Sequence, residues 1–126
     1  MPKNILIIDD DRLVLMTLKR LLTKEGYKVF TAMSGEDALK AITATDFDLI
    51  ISDLKMPGMD GVEAVRRIRA WRQENQKAAV PEIFITGYAK EDIYQDALAL
   101  QASAYIDKPF DIKSLLQSVS GAVLKK

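Results

Sequence analysis

Two kinds of apolar pattern alternate along the chain. The first is the short, nearly unbroken apolar run: NILIID at 4–9, KVFTA at 28–32, FDLIISD at 47–53, EIFITG at 82–87 and AYIDK at 104–108. All five predict strands, and several are continuous Ile, Leu, Val or Phe runs, as expected of strands covered on both faces of a parallel sheet. The second is a stripe with helical spacing, which predicts helices near 11–25, 35–45, 60–76, 90–101 and 111–124. The first of these repeats Val14, Leu18, Leu21 and Leu22; the last repeats Ile112, Leu115, Leu116, Val119 and Val123. Start and stop signals agree with the stripes. Ser34 with Asp37 and Asp60 with Glu63 have capping-box spacing, Asp111 can cap the last helix, and Gly26 suits the end of the first.

Strands and helices therefore alternate five times, which predicts an α/β domain with a parallel sheet between two helical layers. At 126 residues the chain has the size of one domain spanning residues 1–126. Its one irregular stretch is AWRQENQKAA at 70–79, a polar extension of the third helix followed by loop.

Composition narrows the chemistry. Lys and Arg balance Asp and Glu at 18 each, so no overall field draws the chain to nucleic acid or anionic lipid. No apolar stretch is long enough to span a membrane, and MPKNILII lacks a signal-peptide layout, so a cytoplasmic location is expected. The chain has no cysteine and no histidine. That excludes disulfides, thiolate nucleophiles, serine–histidine triads and nitrogen- or sulfur-ligated metals. A metal here must be held by oxygen, which points to Mg²⁺, Ca²⁺ or Mn²⁺.

Ligands of open α/β sheets bind beyond the carboxyl ends of the strands. There the first strand ends in Asp9, Asp10 and Asp11, the third in Asp53, the fourth in Thr86 and Gly87, and the fifth in Lys108 and Pro109. Three adjacent carboxylates repel one another, and the cluster becomes favourable when a divalent cation joins it. Carboxylates, one hydroxyl and one ammonium suit phosphoryl transfer. Asp53 can serve as nucleophile, while a metal, Lys108 and Thr86 meet the charge on the transferring oxygens.

In this order and spacing, IIDDD, ISDLKMPGMDG, ITG and YIDKPF resemble the receiver domain of two-component response regulators, from one end of the chain to the other. The resemblance implies a flavodoxin-like (βα)5 fold, doubly wound, with strand order 2-1-3-4-5. It implies Asp53 as phosphoacceptor, Mg²⁺ (or Mn²⁺) on Asp9, Asp10, Asp53 and the backbone carbonyl of Lys55, and contact of Lys108 with the phosphoryl group. Thr86 would swing toward a phosphoryl oxygen and Tyr105 would turn inward behind it. The Lys108–Pro109 bond would be cis, and Lys55 and Tyr88 would tune phosphoryl lifetime. The donor would be a phosphohistidine on a sensor histidine kinase or histidine phosphotransfer protein. The switched face, residues 88–124, would control a downstream output domain or protein and could carry a homodimer. Such a chain is a signalling phosphoacceptor that supports only its own phosphorylation and slow autodephosphorylation, not an enzyme with an outside substrate.

Taken singly, several of these residues read more plainly. Asp11 reads as a helix cap, Thr86 as a β-branched strand residue, Tyr105 as packing, and Pro57, Gly58 and Gly61 as turn residues. Arg66, Arg67, Arg69 and Arg72 read as a solvated helix face, and Trp71 as a cover for that helix's end. Two other functions share the same residues: a pseudo-receiver that only binds partners, and a Mg²⁺-dependent phosphohydrolase.

Overall fold

The computed structural model describes residues 2–87 and 91–124, with Glu91 described by its backbone alone. Five strands, β1 (Asn4–Ile8), β2 (Lys28–Ala32), β3 (Leu49–Asp53), β4 (Glu82–Thr86) and β5 (Ala104–Asp107), alternate with five helices. The helices are α1 (Arg12–Lys24), α2 (Gly35–Ala44), α3 (Gly61–Glu74), α4 (Glu91–Ala99) and α5 (Ile112–Leu124). Every strand pair is parallel, and the sheet order is β2-β1-β3-β4-β5. The expected doubly wound order is thus observed. Tyr88 and the start of the expected switch face lie outside the described residues.

Strand alternation decides the layers. Ile5, Ile7, Leu49, Ile51, Ile83 and Ile85 pack with α1 and α5 on one face. Leu6, Ile8 and Ile50 meet α2 and α3 on the other, and Phe84 packs there with Val62, Val65 and Ala97. Ile5 to Ile8 are fully buried. At roughly 2 kcal/mol per side chain, these four contribute about 8 kcal/mol, enough to hold a strand whose next residue is a buried carboxylate.

The helix starts follow the expected chemistry. Ser34 accepts from the Asp37 amide at 3.1 Å, Asp60 from the Glu63 amide at 2.9 Å and Asp111 from the Ser114 amide at 2.9 Å. Asp11 accepts from the Leu13 and Val14 amides, so it caps α1. Gly26 has a φ of 95° just past the end of α1, where other residues would be strained.

Three expectations about packing need correction. The buried stripe of α1 is Leu15, Leu18 and Leu22, with Val14 and Leu21 only half-buried at its flank. Ile112 is half-exposed, because it opens α5 before the helix reaches the sheet. The arginines of α3 do not form one solvated face. Arg66 and Arg67 are exposed, but Arg72 is only 6% exposed and donates from Nε to the Ala78 carbonyl at 2.7 Å. Arg69 makes a two-pronged pair with buried Glu82 at 2.9 and 2.7 Å and also donates to the Leu100 carbonyl. Arg72 continues the buried Val65–Ile68 stripe by helical spacing, so its position overrides its charge. Trp71 does pack over the end of α3, with the Lys77 ammonium 5.8 Å from its ring centre.

Candidate functional site

From β1 the chain crosses through α1 to β2 on one side, and from β2 it passes back over β1 through α2 to β3 on the other. That reversal opens a crevice beyond the carboxyl ends of β1 and β3. Asp9 follows β1 directly, and Asp53 is the last residue of β3. They are 2% and 7% exposed, whereas Asp10 is exposed. One carboxylate oxygen from each of Asp9, Asp10 and Asp53 lies within 4.8 Å of the other two. Lys108, just past β5, enters from the far side of the sheet. Its ammonium is 3.0 Å from an Asp9 oxygen and 3.6 Å from an Asp53 oxygen. The second Asp9 oxygen accepts from the Asp11 amide at 2.9 Å.

Local backbone holds these groups in place. The Lys108 amide donates to the Thr86 carbonyl at 2.8 Å, extending the β4–β5 pairing to the residue that carries the ammonium. The Lys108–Pro109 peptide is cis, as expected. Ser52 donates its hydroxyl to the Asp53 carbonyl, and the Gly61 amide donates to the Leu54 carbonyl. Gly61 is more than a turn residue. A Cβ there would overlap the Asp53 carbonyl oxygen, so the start of α3 packs against the backbone of Asp53 itself. That contact is tertiary and leaves no signal in the sequence beyond the glycine.

Electrostatics mark Asp53. Burial, and then the nearby Asp9 charge, push its carboxyl up to about 6. Lys108 and the Leu54 and Lys55 amides pull the other way without cancelling the rise. Burial disfavours the Lys108 ammonium, but the hydrogen bond to Asp9 and the charges of Asp53, Asp9 and Asp11 outweigh it, so its pKa is raised.

Thr86 is buried at the end of β4, and among the described residues its hydroxyl has no hydrogen-bond partner. An unpaired buried hydroxyl costs about 1–3 kcal/mol, a cost that a ligand oxygen would relieve. Tyr105 points elsewhere. Its ring stacks on Phe84, its hydroxyl donates to the Ala97 carbonyl at 2.8 Å and accepts from the Ala102 amide at 2.9 Å. Those partners lie at the C-terminal end of α4, away from Thr86. Lys55 is exposed beside Asp53.

The donor set consists of hard oxygens close enough to share one small cation, and it fits a hexacoordinate divalent ion. Together with a buried carboxyl of raised pKa, a fixed ammonium and a hydroxyl unpaired among the described residues, it suits phosphoryl transfer chemistry at Asp53.

Comparisons with known proteins agree with this chemistry. The family model described as the response regulator receiver domain matches residues 5–120. Sporulation initiation phosphotransferase F of Bacillus subtilis is 36% identical over 119 residues, covering 94% of this chain and 92% of that one. Response regulator ArlR of Staphylococcus aureus is 39% identical over 125 residues, covering 98% of this chain but 53% of that protein. The chain thus spans nearly all of the first relative and about half of ArlR. The CheY-like receiver domain protein of Methanospirillum hungatei superposes with a TM-score of 0.88 at 32% identity, covering 99% of this chain and 96% of that one.

Proposed function

The chain belongs to the response regulator receiver domain family of two-component signalling, and from that footing we propose that Asp53 is its phosphoacceptor. The observation that carries the proposal is the convergence of Asp9, Asp10, Asp53 and Lys108 around one crevice, with the Thr86 hydroxyl, unpaired among the described residues, at the end of β4.

In this reading an Asp53 carboxylate oxygen forms a bond to phosphorus. The bond from phosphorus to a donor imidazole nitrogen breaks, its electron pair leaves with the nitrogen, and solvent supplies the proton. Lacking histidine, the chain takes the group from a partner's phosphohistidine, on a sensor histidine kinase or phosphotransfer protein. Asp9, Asp10, Asp53 and the Lys55 carbonyl would hold Mg²⁺ or Mn²⁺, which neutralises charge on the phosphoryl oxygens when bound. Lys108 already lies within 3.6 Å of Asp53, so it can shift its ion pair to a phosphoryl oxygen without leaving the crevice. Thr86 donates its free hydroxyl to a second oxygen.

Phosphorylation then biases a two-state equilibrium through contacts made in only one state. Tyr105 would release the α4 carbonyl and turn in behind Thr86, and the α4–β5–α5 face would engage an output domain or protein. Residues 1–126 would act as one receiver domain in the cytoplasm, with no outside substrate. Among the described residues, no helix is long and apolar enough to cross a membrane.

Intact-protein mass after incubation with acetyl phosphate tests the assignment. Wild type should gain one phosphoryl group with Mg²⁺ and none with EDTA, and Asp53→Asn should gain none. Phosphorylation of the Asn variant, or a wild type that takes up neither the phosphoryl group nor beryllofluoride, would overturn it.

A further inference from the structure

A cavity of about 590 Å³ opens at the opposite end of the sheet from Asp53, below the start of β4. The irregular 70–79 stretch forms one of its walls. The chain leaves α3 at Asn75, passes Gln76 with a φ of 58°, and folds back so that the Lys77 amide donates to the Arg72 carbonyl at 2.8 Å. Ile68, Val80 and Pro81 supply an apolar side.

Cations dominate the polar side. Arg69, Arg72 and Lys77 line the cavity along with Glu82. Arg69 and Glu82 neutralise each other through two hydrogen bonds. Arg72 and Lys77 share the single charge of Asp46, at 3.5 and 3.2 Å. One positive charge is therefore left over. It belongs largely to Arg72, whose side chain is only 8% exposed and whose Nε is used by the Ala78 carbonyl. Among the described residues, its second terminal nitrogen has no acceptor. A mostly buried guanidinium whose free donors reach accessible space over an apolar wall is complementary to a carboxylate on an apolar body. The volume is in the range of small-ligand sites.

We propose that this cavity is a binding site for a small organic monocarboxylate, separate from the phosphoacceptor crevice. The carboxylate takes the free edge of Arg72, Lys77 at the rim keeps Asp46 paired, and the apolar body lies along Ile68, Val80 and Pro81. A single excess charge favours a monoanion over a dianion.

The test is a titration followed by ¹⁵N NMR, with benzoate as the probe and benzamide and phenyl phosphate as comparators. Benzoate should shift the Arg72 Nε resonance and the Ala78 to Val80 amides with saturation. Benzamide, uncharged but similar in shape, should bind about tenfold more weakly or not at all, the loss of one charge-assisted pair. Arg72→Gln should abolish the response. Because that change also alters the Ala78 contact, a second variant is needed: Ala79→Trp, at an exposed position in the cavity wall, should block binding while leaving acetyl phosphate labelling of Asp53 unchanged. A linear, unsaturating response to benzoate would overturn the site. So would equal binding of benzoate and benzamide, or unaltered binding in both variants. Tighter binding of phenyl phosphate would overturn the monocarboxylate assignment.

Discussion

Replacing Asp53 by Asn should make the metal-free protein more stable above pH 6. The carboxyl of Asp53 rises from the usual 3.8 to about 6 in the fold, chiefly through burial and then through the charge of Asp9. A carboxyl with a raised folded pKa binds its proton more tightly folded than unfolded. Its charged form therefore weakens the fold increasingly as pH climbs from about 4 to about 6, and by a constant amount above that. About two pH units, at about 1.4 kcal/mol each, give a penalty of about 3 kcal/mol. The asparagine removes it. Lys108 loses its 3.6 Å contact but keeps the 3.0 Å bond to Asp9, so the ammonium is not stranded. In thermal unfolding with EDTA at pH 7.5, the variant should melt roughly 10 °C above wild type. The gap should close as pH falls toward 4. Saturating Mg²⁺ should narrow it, because the ion stabilises only the state that binds it. A wild type more stable than the variant in EDTA, or a gap that does not change with pH, would refute the electrostatic reasoning.

Three further outcomes follow from the same geometry. Gly61→Ala should cost about 1–3 kcal/mol in urea denaturation, because its Cβ would press on the Asp53 carbonyl. Glu82→Gln should cost about 2 kcal/mol with an unchanged m-value, because it leaves the Arg69 guanidinium without its charge partner. Asp10→Asn should weaken Mg²⁺ binding in a fluorescence or calorimetric titration, since it removes the exposed member of the carboxylate trio. Unchanged affinity would rule Asp10 out as a ligand.

How far the sequence could be read depended on the range of the forces involved. The three central strands were the most legible, because β1, β3 and β4 are mostly Ile, Leu or Phe and lie buried in the sheet, whereas the edge strands β2 and β5 are more polar and half-exposed. The caps at Ser34, Asp60 and Asp111 were legible because their hydrogen bonds close within three residues. The strand edges were less so. Phe47 is fully buried and apolar, yet β3 starts at Leu49, because pairing rather than burial defines the strand. The convergence of Asp9, Asp53 and Lys108 could be anticipated because all three sit at the carboxyl ends of strands, and a parallel sheet brings those ends to one edge.

What escaped was long-range and depended on side-chain direction. Arg69 and Arg72 looked like charges bound for water. Yet Arg72 stands seven residues after Val65 and four after Ile68, so helical spacing turns it inward whatever its charge. Once inside, it needs acceptors, and the loop folds back so that Ala78 provides one. The polar 70–79 stretch, irregular as sequence, is thus the means by which a buried arginine is satisfied. Because Ala78 and Asp46 engage only its Nε and one terminal nitrogen, the same packing that hides the charge leaves donors facing the cavity. Asp53 shows the converse at the other end of the sheet, where the sequence announced the charge but not that burial would push its carboxyl up to about 6. In both places the fold draws an ionic group inward yet leaves part of it open to a ligand.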